Sequence, residues 1–294
     1  MRLYYYQGSK PNFGDELNHV LLPRVFPGLF DQQDDRLFLG IGSILNDQHP
    51  ARDLKVVFGS GYGGYAPAPI IDESWRIYGV RGEFTADALS ISRRLVVGDA
   101  ALLVNAWFGD PVPKRHKVSL IPHFESLDRG SWKAVADDAG FHFIDPTGDT
   151  LHVLEDIKAS ELIVAEAMHG AIVADALRVP WIALEPQDAR HHMKWADWGS
   201  AIGIRPDFLP MRPTSLYEAM GVNTVSLPRR AVRKGYRRIP GHGRVDAWFA
   251  RKASDYLARR IERVDPQLST DAALAEAVEK LQHAAERIRA DFPV

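Results

Sequence analysis

The chain has 294 residues, 46% hydrophobic and 25% charged, enough to bury a sizeable core and, on the usual length prior, to make about two domains. Its formal net charge of -2 does not draw it to nucleic acid, and the lack of any cysteine excludes disulfides, cysteine zinc sites and a thiol nucleophile. No apolar h-region follows Met1, and no apolar run approaches the roughly 20 residues of a spanning helix. A cytoplasmic protein is expected, peripheral to the membrane at most.

Up to about residue 212 the chain alternates short apolar runs with Gly/Asp turns and helix-like stretches. The runs are Leu3–Tyr6, Leu37–Leu39, Val56–Phe58, Ile77–Val80, Leu95–Val97, Val118–Ile121, Phe141–Ile144, Leu162–Ala165 and Trp181–Leu184. They are short and rich in β-branched or aromatic residues, so they read as buried strands of an α/β fold with a mostly parallel sheet. Asp110-Pro111-Val112-Pro113 breaks the pattern. The boundary is placed there, giving α/β domains over 1–113 and 114–212. A C-terminal helical extension over 213–294 follows. In it, Ala247 to Val264 reads as one helix. Leu274, Val278, Leu281, Ala285, Ile288 and Phe292 mark the apolar stripe of another. Ligands of such a pair of α/β units belong in the cleft at the carboxyl ends of the strands.

Several candidate residues fall at those strand ends. His169 and Gly170 follow the apolar strand Leu162-Ile163-Val164 and open a helix-like run, where free N–H groups and the helix dipole favour an anion. Gly170 would let backbone approach a ligand. Arg81, in Val80-Arg81-Gly82, repeats the placement in the first half, and its fork suits phosphate or carboxylate, a salt bridge being the alternative. His123, in Pro122-His123-Phe124-Glu125, is a second acid/base or phosphate donor, or a structural histidine. In Asn12-Phe13-Gly14-Asp15, Asp15 is either a helix N-cap or a carboxylate for acceptor hydroxyls. Gly40-Ile41-Gly42-Ser43 and Gly59-Ser60-Gly61-Tyr62-Gly63-Gly64 are Gly-rich turns able to cradle a phosphate or sugar. Lys194-Trp195-Ala196-Asp197-Trp198 joins a cation to aromatics, whereas Gly98-Asp99 reads as a structural turn. The adjacent His191-His192 lacks the spacing of three or four that helical metal ligands need, and no metal is expected. Arg229–Arg238 is a basic segment that reads as a solvated face or as a contact for anionic lipid.

In order and spacing these pieces resemble the polysaccharide pyruvyl transferase family. The resemblance is carried by Asn12-Phe13-Gly14-Asp15, Gly40-Ile41-Gly42-Ser43-Ile44-Leu45, Val80-Arg81-Gly82 with Thr85, Gly98-Asp99, Ile121-Pro122-His123-Phe124, and Met168-His169-Gly170 followed by Ala174 to Pro180. It is most similar to the bacterial exopolysaccharide branch, which modifies lipid-linked repeat units. It implies two Rossmann-like domains facing a cleft, GT-B-like, with phosphoenolpyruvate (PEP) as donor and no cofactor. It also implies a glycan acceptor carried on polyprenyl diphosphate. By position, His169 is the implied catalytic histidine. Arg81, Lys194, His123 and Gly170 are implied on the PEP side, and Asp15, Asn12 and Ser43 on the acceptor side. Many members place an arginine two residues before the histidine. Here that position is Ala167, and Lys194 or Arg190 would supply the charge. Two alternatives share the expected fold: a glycosyltransferase using a nucleotide sugar, and a non-catalytic glycan-binding protein.

Overall fold

The computed structural model describes residues 1–31, 35–220, 235–236 and 241–293. It is a mixed α/β structure with two parallel sheets. The first is built from β1 (Arg2–Tyr4), β2 (Arg36–Leu39), β3 (Leu54–Ser60) and β4 (Trp75–Val80), in that spatial order, with α1 (Phe13–Val25) between β1 and β2. Then come α2 (Glu83–Ala88), a 3-10 turn (Ala100–Val104) and α3 (Asn105–Phe108).

The second sheet comprises β5 (Ser119–Ile121), β6 (His142–Phe143), β7 (Ile163–Ala165), β8 (Trp181–Leu184) and β9 (Phe208–Leu209), ordered β6-β5-β7-β8-β9. Its helices are α4 (Trp132–Ala139), α5 (Thr150–Lys158), α6 (Met168–Ala176) and α7 (His191–Ala201). The chain closes with α8 (Leu216–Ala219), α9 (His242–Ile261) and α10 (Asp271–Asp291). The inner strands are covered on both faces: every residue of β7 and β8 is buried, as is all of β3 after Leu54.

Two local expectations differ from the structure, and one strand carries no sequence signal. Leu95–Val97 is not a strand. Arg93–Leu95 forms a 3-10 turn in which the Ser92 hydroxyl accepts the Arg94 N–H, and Val96 makes only an isolated bridge to Val80. Gly98, at φ 100°, then turns the chain. Asp15 does not cap α1. Asn12 is the N-cap and Asp15 sits inside the first turn, where a carboxylate still complements the helix dipole. β9, two residues long, is too short to show as a periodicity. The final helix matches its stripe, with Leu274, Leu281, Ala285 and Ile288 buried and the Thr270 hydroxyl capping it from the Ala273 N–H.

One apolar core runs through both sheets. Phe26, Phe38 and Phe58 pack ring against ring at 5.1–6.0 Å. They are continuous with Val173, Trp181, Trp195 and Trp198 of the second sheet and with Leu281 and Ile288 of α10. In contrast, Ala250, Ala253 and Leu257 of α9 pack with Leu120, Val164 and Ile182 on the far face of the second sheet. The two terminal helices are thus divided between the two sheets. No described helix is long and apolar enough to cross a membrane.

The sheets are joined where α2 meets α7. The buried Asp197 carboxylate accepts from Arg81 Nε (2.8 Å), the Thr85 N–H (2.8 Å) and the Thr85 hydroxyl (2.7 Å). Gly82 is required there: a Cβ on it would stand 1.8 Å from the Asp197 carbonyl oxygen.

Candidate active site

A cavity of about 500 Å³ opens at the carboxyl ends of strands of both sheets. Its walls are the loop after β2 (Gly42, Ser43), the loop after β5 (His123 to Glu125), the β7–α6 junction (Glu166 to His169), the start of α1 (Asn12 to Asp15) and the first turns of α7 (His191, Lys194). Brought together here are His169, Lys194, His123, Asp15, Asn12 and Ser43, which the sequence scatters over more than 180 positions.

His169 is the second residue of α6 and reaches across to the first sheet's elements. Its Nε2 lies 3.7 Å from Oδ2 of the fully buried Asp99, and neither atom has a hydrogen-bond partner. The other Asp99 oxygen accepts the Ala101 N–H, which fixes the carboxylate at the head of the 3-10 turn. On its opposite side the imidazole lies against the start of α1. A Cβ on Gly14 would meet His169 Nδ1 at 2.1 Å, so only glycine admits the ring. An imidazole held beside a buried carboxylate is placed to carry a proton, the carboxylate stabilising positive charge on the ring.

Opposite stands a cationic wall. The Lys194 ammonium is partly buried, 5.1 Å from the centre of the Tyr65 ring, and has no hydrogen-bond acceptor among the described residues. Burial, then the Arg81 charge, brings its pKa down to about 8, while Asp15 acts in the opposite direction. Arg190 lies over the same Tyr65 ring at 5.3 Å and forks onto Asp188. His123 and His191 face each other at 4.8 Å. Burial and neighbouring positive charge hold His123 well below its ordinary value and His191 at about 3, so both are neutral near pH 7. His123 Nδ1 is buried without a partner.

Glu166 anchors this loop: its carboxylate accepts the His123 N–H and the Ser126 hydroxyl, both at 2.8 Å. Burial pushes its pKa up to about 7 despite those bonds. Across the cavity, Asp15 receives Asn12 Nδ2 at 2.7 Å. Burial raises the Asp15 pKa, with the Asn12 bond, His169 and Lys194 opposing.

Two candidate residues do not line the cavity. Arg81 is fully buried behind it, bonded to Asp197, to the Ser43 hydroxyl at 2.8 Å and to the Tyr62 carbonyl. It reaches the cavity only through Ser43. Gly61 makes room for it, since a Cβ there would stand 2.3 Å from the guanidinium carbon. Gly170 faces Ile121 instead, where a Cβ would come within 2.7 Å of Cγ2, so its smallness serves helix-on-strand packing. Basic segment 229–238 falls outside the described residues, apart from Gly235 and Tyr236.

Three contributors were not legible as such. Asp99 reads as a turn former, Glu166 as part of the approach to His169, and Asp197 as one member of an aromatic cluster. The one available signal for Asp99 and Glu166 is a carboxylate following an apolar run. Ala167 lines the same cavity as Lys194 and Arg190.

Comparison with known proteins identifies the family. The family model described as polysaccharide pyruvyl transferase matches residues 54–188. The succinoglycan biosynthesis protein ExoV of Rhizobium meliloti (strain 1021) is 34% identical over 317 aligned positions, covering 99% of this chain and 100% of the relative. No solved structure matches significantly. With its site formed between two parallel sheets and its sequence aligned to such a relative from end to end, the chain belongs to the polysaccharide pyruvyl transferase family and is a pyruvyl transferase.

Proposed function

We propose that the enzyme transfers pyruvate from PEP to a sugar of a lipid-linked exopolysaccharide repeat unit, forming a cyclic ketal and releasing phosphate. The observation that carries this reading is the presence, in one cavity, of His169, backed by the buried Asp99, and of the Lys194 ammonium. PEP carries a phosphate and a carboxylate, and Lys194 and Arg190, which line the cavity with Ala167, offer it positive charge. The end-to-end similarity to a succinoglycan biosynthesis protein supports an exopolysaccharide acceptor. Two parallel sheets about a cleft, with α10 packed into the core they share, support a GT-B-like arrangement.

The residues divide the chemistry between them. His169, with Asp99 balancing its charge, gives a proton to C3 of PEP. A sugar hydroxyl bonds to C2 as Asp15, made more basic by burial, takes its proton. The C2–O bond to phosphate then breaks, its electron pair leaving with phosphate beside Lys194. The second hydroxyl of the sugar closes on C2, and the proton it loses leaves with phosphate. Asp15 returns its proton to His169. These steps call on no redox group or metal. Ser43, backed by Arg81, and Asn12 orient the acceptor.

Phosphate release from PEP in the presence of a lipid-linked acceptor tests the reading. His169→Ala should lower kcat by roughly 10²–10⁴-fold. Asp99→Asn should lower kcat with little change in the KM for PEP. Absence of phosphate release from PEP with any such acceptor would overturn the donor assignment.

A further inference from the structure

At the end of the second sheet opposite the cavity, three elements converge on one carboxylate. His116 precedes β5, His142 opens β6, and Asp156 lies near the end of α5. Asp156 Oδ2 is 2.9 Å from His142 Nε2 and 3.5 Å from His152 Nε2, and Asp156 Oδ1 is 3.7 Å from His116 Nε2. One ligand atom from each of His116, His142 and Asp156 lies within 4.8 Å of the others. Asp156 is 6% exposed, and the nitrogens of three histidines stand 2.9–3.7 Å from its carboxylate. His142 Nε2 is buried and, though close to Asp156, is not aligned for a hydrogen bond.

We propose that His116, His142 and Asp156, with His152 as a fourth donor, bind a divalent transition metal of the zinc type. Imidazole nitrogens with one carboxylate suit zinc, cobalt or nickel, whereas magnesium and calcium prefer all-oxygen sets. The His116 and His142 rings stack in parallel with centroids 3.7 Å apart. A metal binds through the imidazole lone pair that a ring keeps in its neutral form. A metal must lie near the plane of each ring. One ring therefore turns about its Cβ–Cγ bond on binding, which their side-chain exposures of 22% and 29% allow. Arg115, whose Nη2 is 3.9 Å from Asp156, is 58% exposed and swings out to solvent. His152 and Asp156 stand four apart on α5, the spacing that places two ligands on one helical face.

The site's place gives its role. It pins the two-residue strand β6, paired among the described strands only with β5, to α5 and to the chain entering β5. A metal there stabilises the second sheet without touching the reacting groups.

The test uses the full-length enzyme, stripped by chelator and titrated with Co²⁺ and then Zn²⁺. Expected are the visible absorption band of cobalt held by nitrogen and oxygen in a low-coordinate site, saturating at roughly one equivalent, and a rise in Tm with either ion. His142→Ala and, separately, His116→Ala should abolish both signals, each variant being compared with and without metal so that its own stability cancels. His283→Ala, on the exposed face of α10, should leave them intact. No saturable band in the wild type, or a band that survives in both His142→Ala and His116→Ala, would overturn the proposal.

Discussion

At Lys194 burial competes with charge. An ammonium in a partly apolar wall loses hydration, and its pKa of about 8 puts the loss of its charge just above neutrality. The lysine is cationic below that value and neutral above it. The kcat/KM for PEP should therefore hold level up to about pH 8 and fall roughly tenfold per pH unit beyond it. Lys194→Met should flatten that limb and raise the KM for PEP roughly 10–100-fold, the worth of a hydrogen bond to a charged group. Glu166 shows the opposite sign. Burial raises its pKa from 4.5 to about 7, so between those values the folded protein holds a proton that the unfolded chain releases. Stability should then decline as pH rises through that window, by on the order of 3 kcal/mol in all. Denaturation of Glu166→Gln across the same range should lack this slope.

At the scale of elements, the site depends on how closely α1 approaches α6. Gly14 is the second residue of α1, and its bare Cα is what lets the His169 ring lie between the helix and Asp99. Gly14→Ala should push the ring off Asp99. The expected result is a kcat loss of more than tenfold with a small change in Tm, because the backbone at Gly14 is ordinary helix and alanine favours helix by about 1 kcal/mol. An unchanged kcat would mean that the ring's position is immaterial to the chemistry. The same logic explains the Val80-Arg81-Gly82 motif. Its glycine admits α7, and its arginine ties the Gly-rich turn after β3 to Asp197 rather than facing the cavity.

For the whole molecule, the Arg81–Asp197 pair is a buried polar fastening between two sheets that also share an apolar core. Both side chains are fully buried. Asp197→Ala leaves the guanidinium buried and uncompensated, and should cost about 3–5 kcal/mol in chemical denaturation. It should also reduce activity, since α7 carries Lys194 and α2 follows Arg81. The sequence by itself determined the α/β class, most strands and the stripe of α10, because apolar period and strand-end glycines are local properties. It also pointed to His169, Lys194, His123, Asp15, Asn12 and Ser43, each near a strand end or helix start where ligands gather. Only the tertiary structure decided which of the strand-end residues face the cavity. Arg81 and Gly170 carry the same local signature as His169, yet one is claimed by Asp197 and the other by Ile121. Asp99 acquires its significance only from a histidine 70 positions away. Local pattern encodes burial and backbone state. The partner of a buried charge is set by which elements meet, and that is a property of the assembled core.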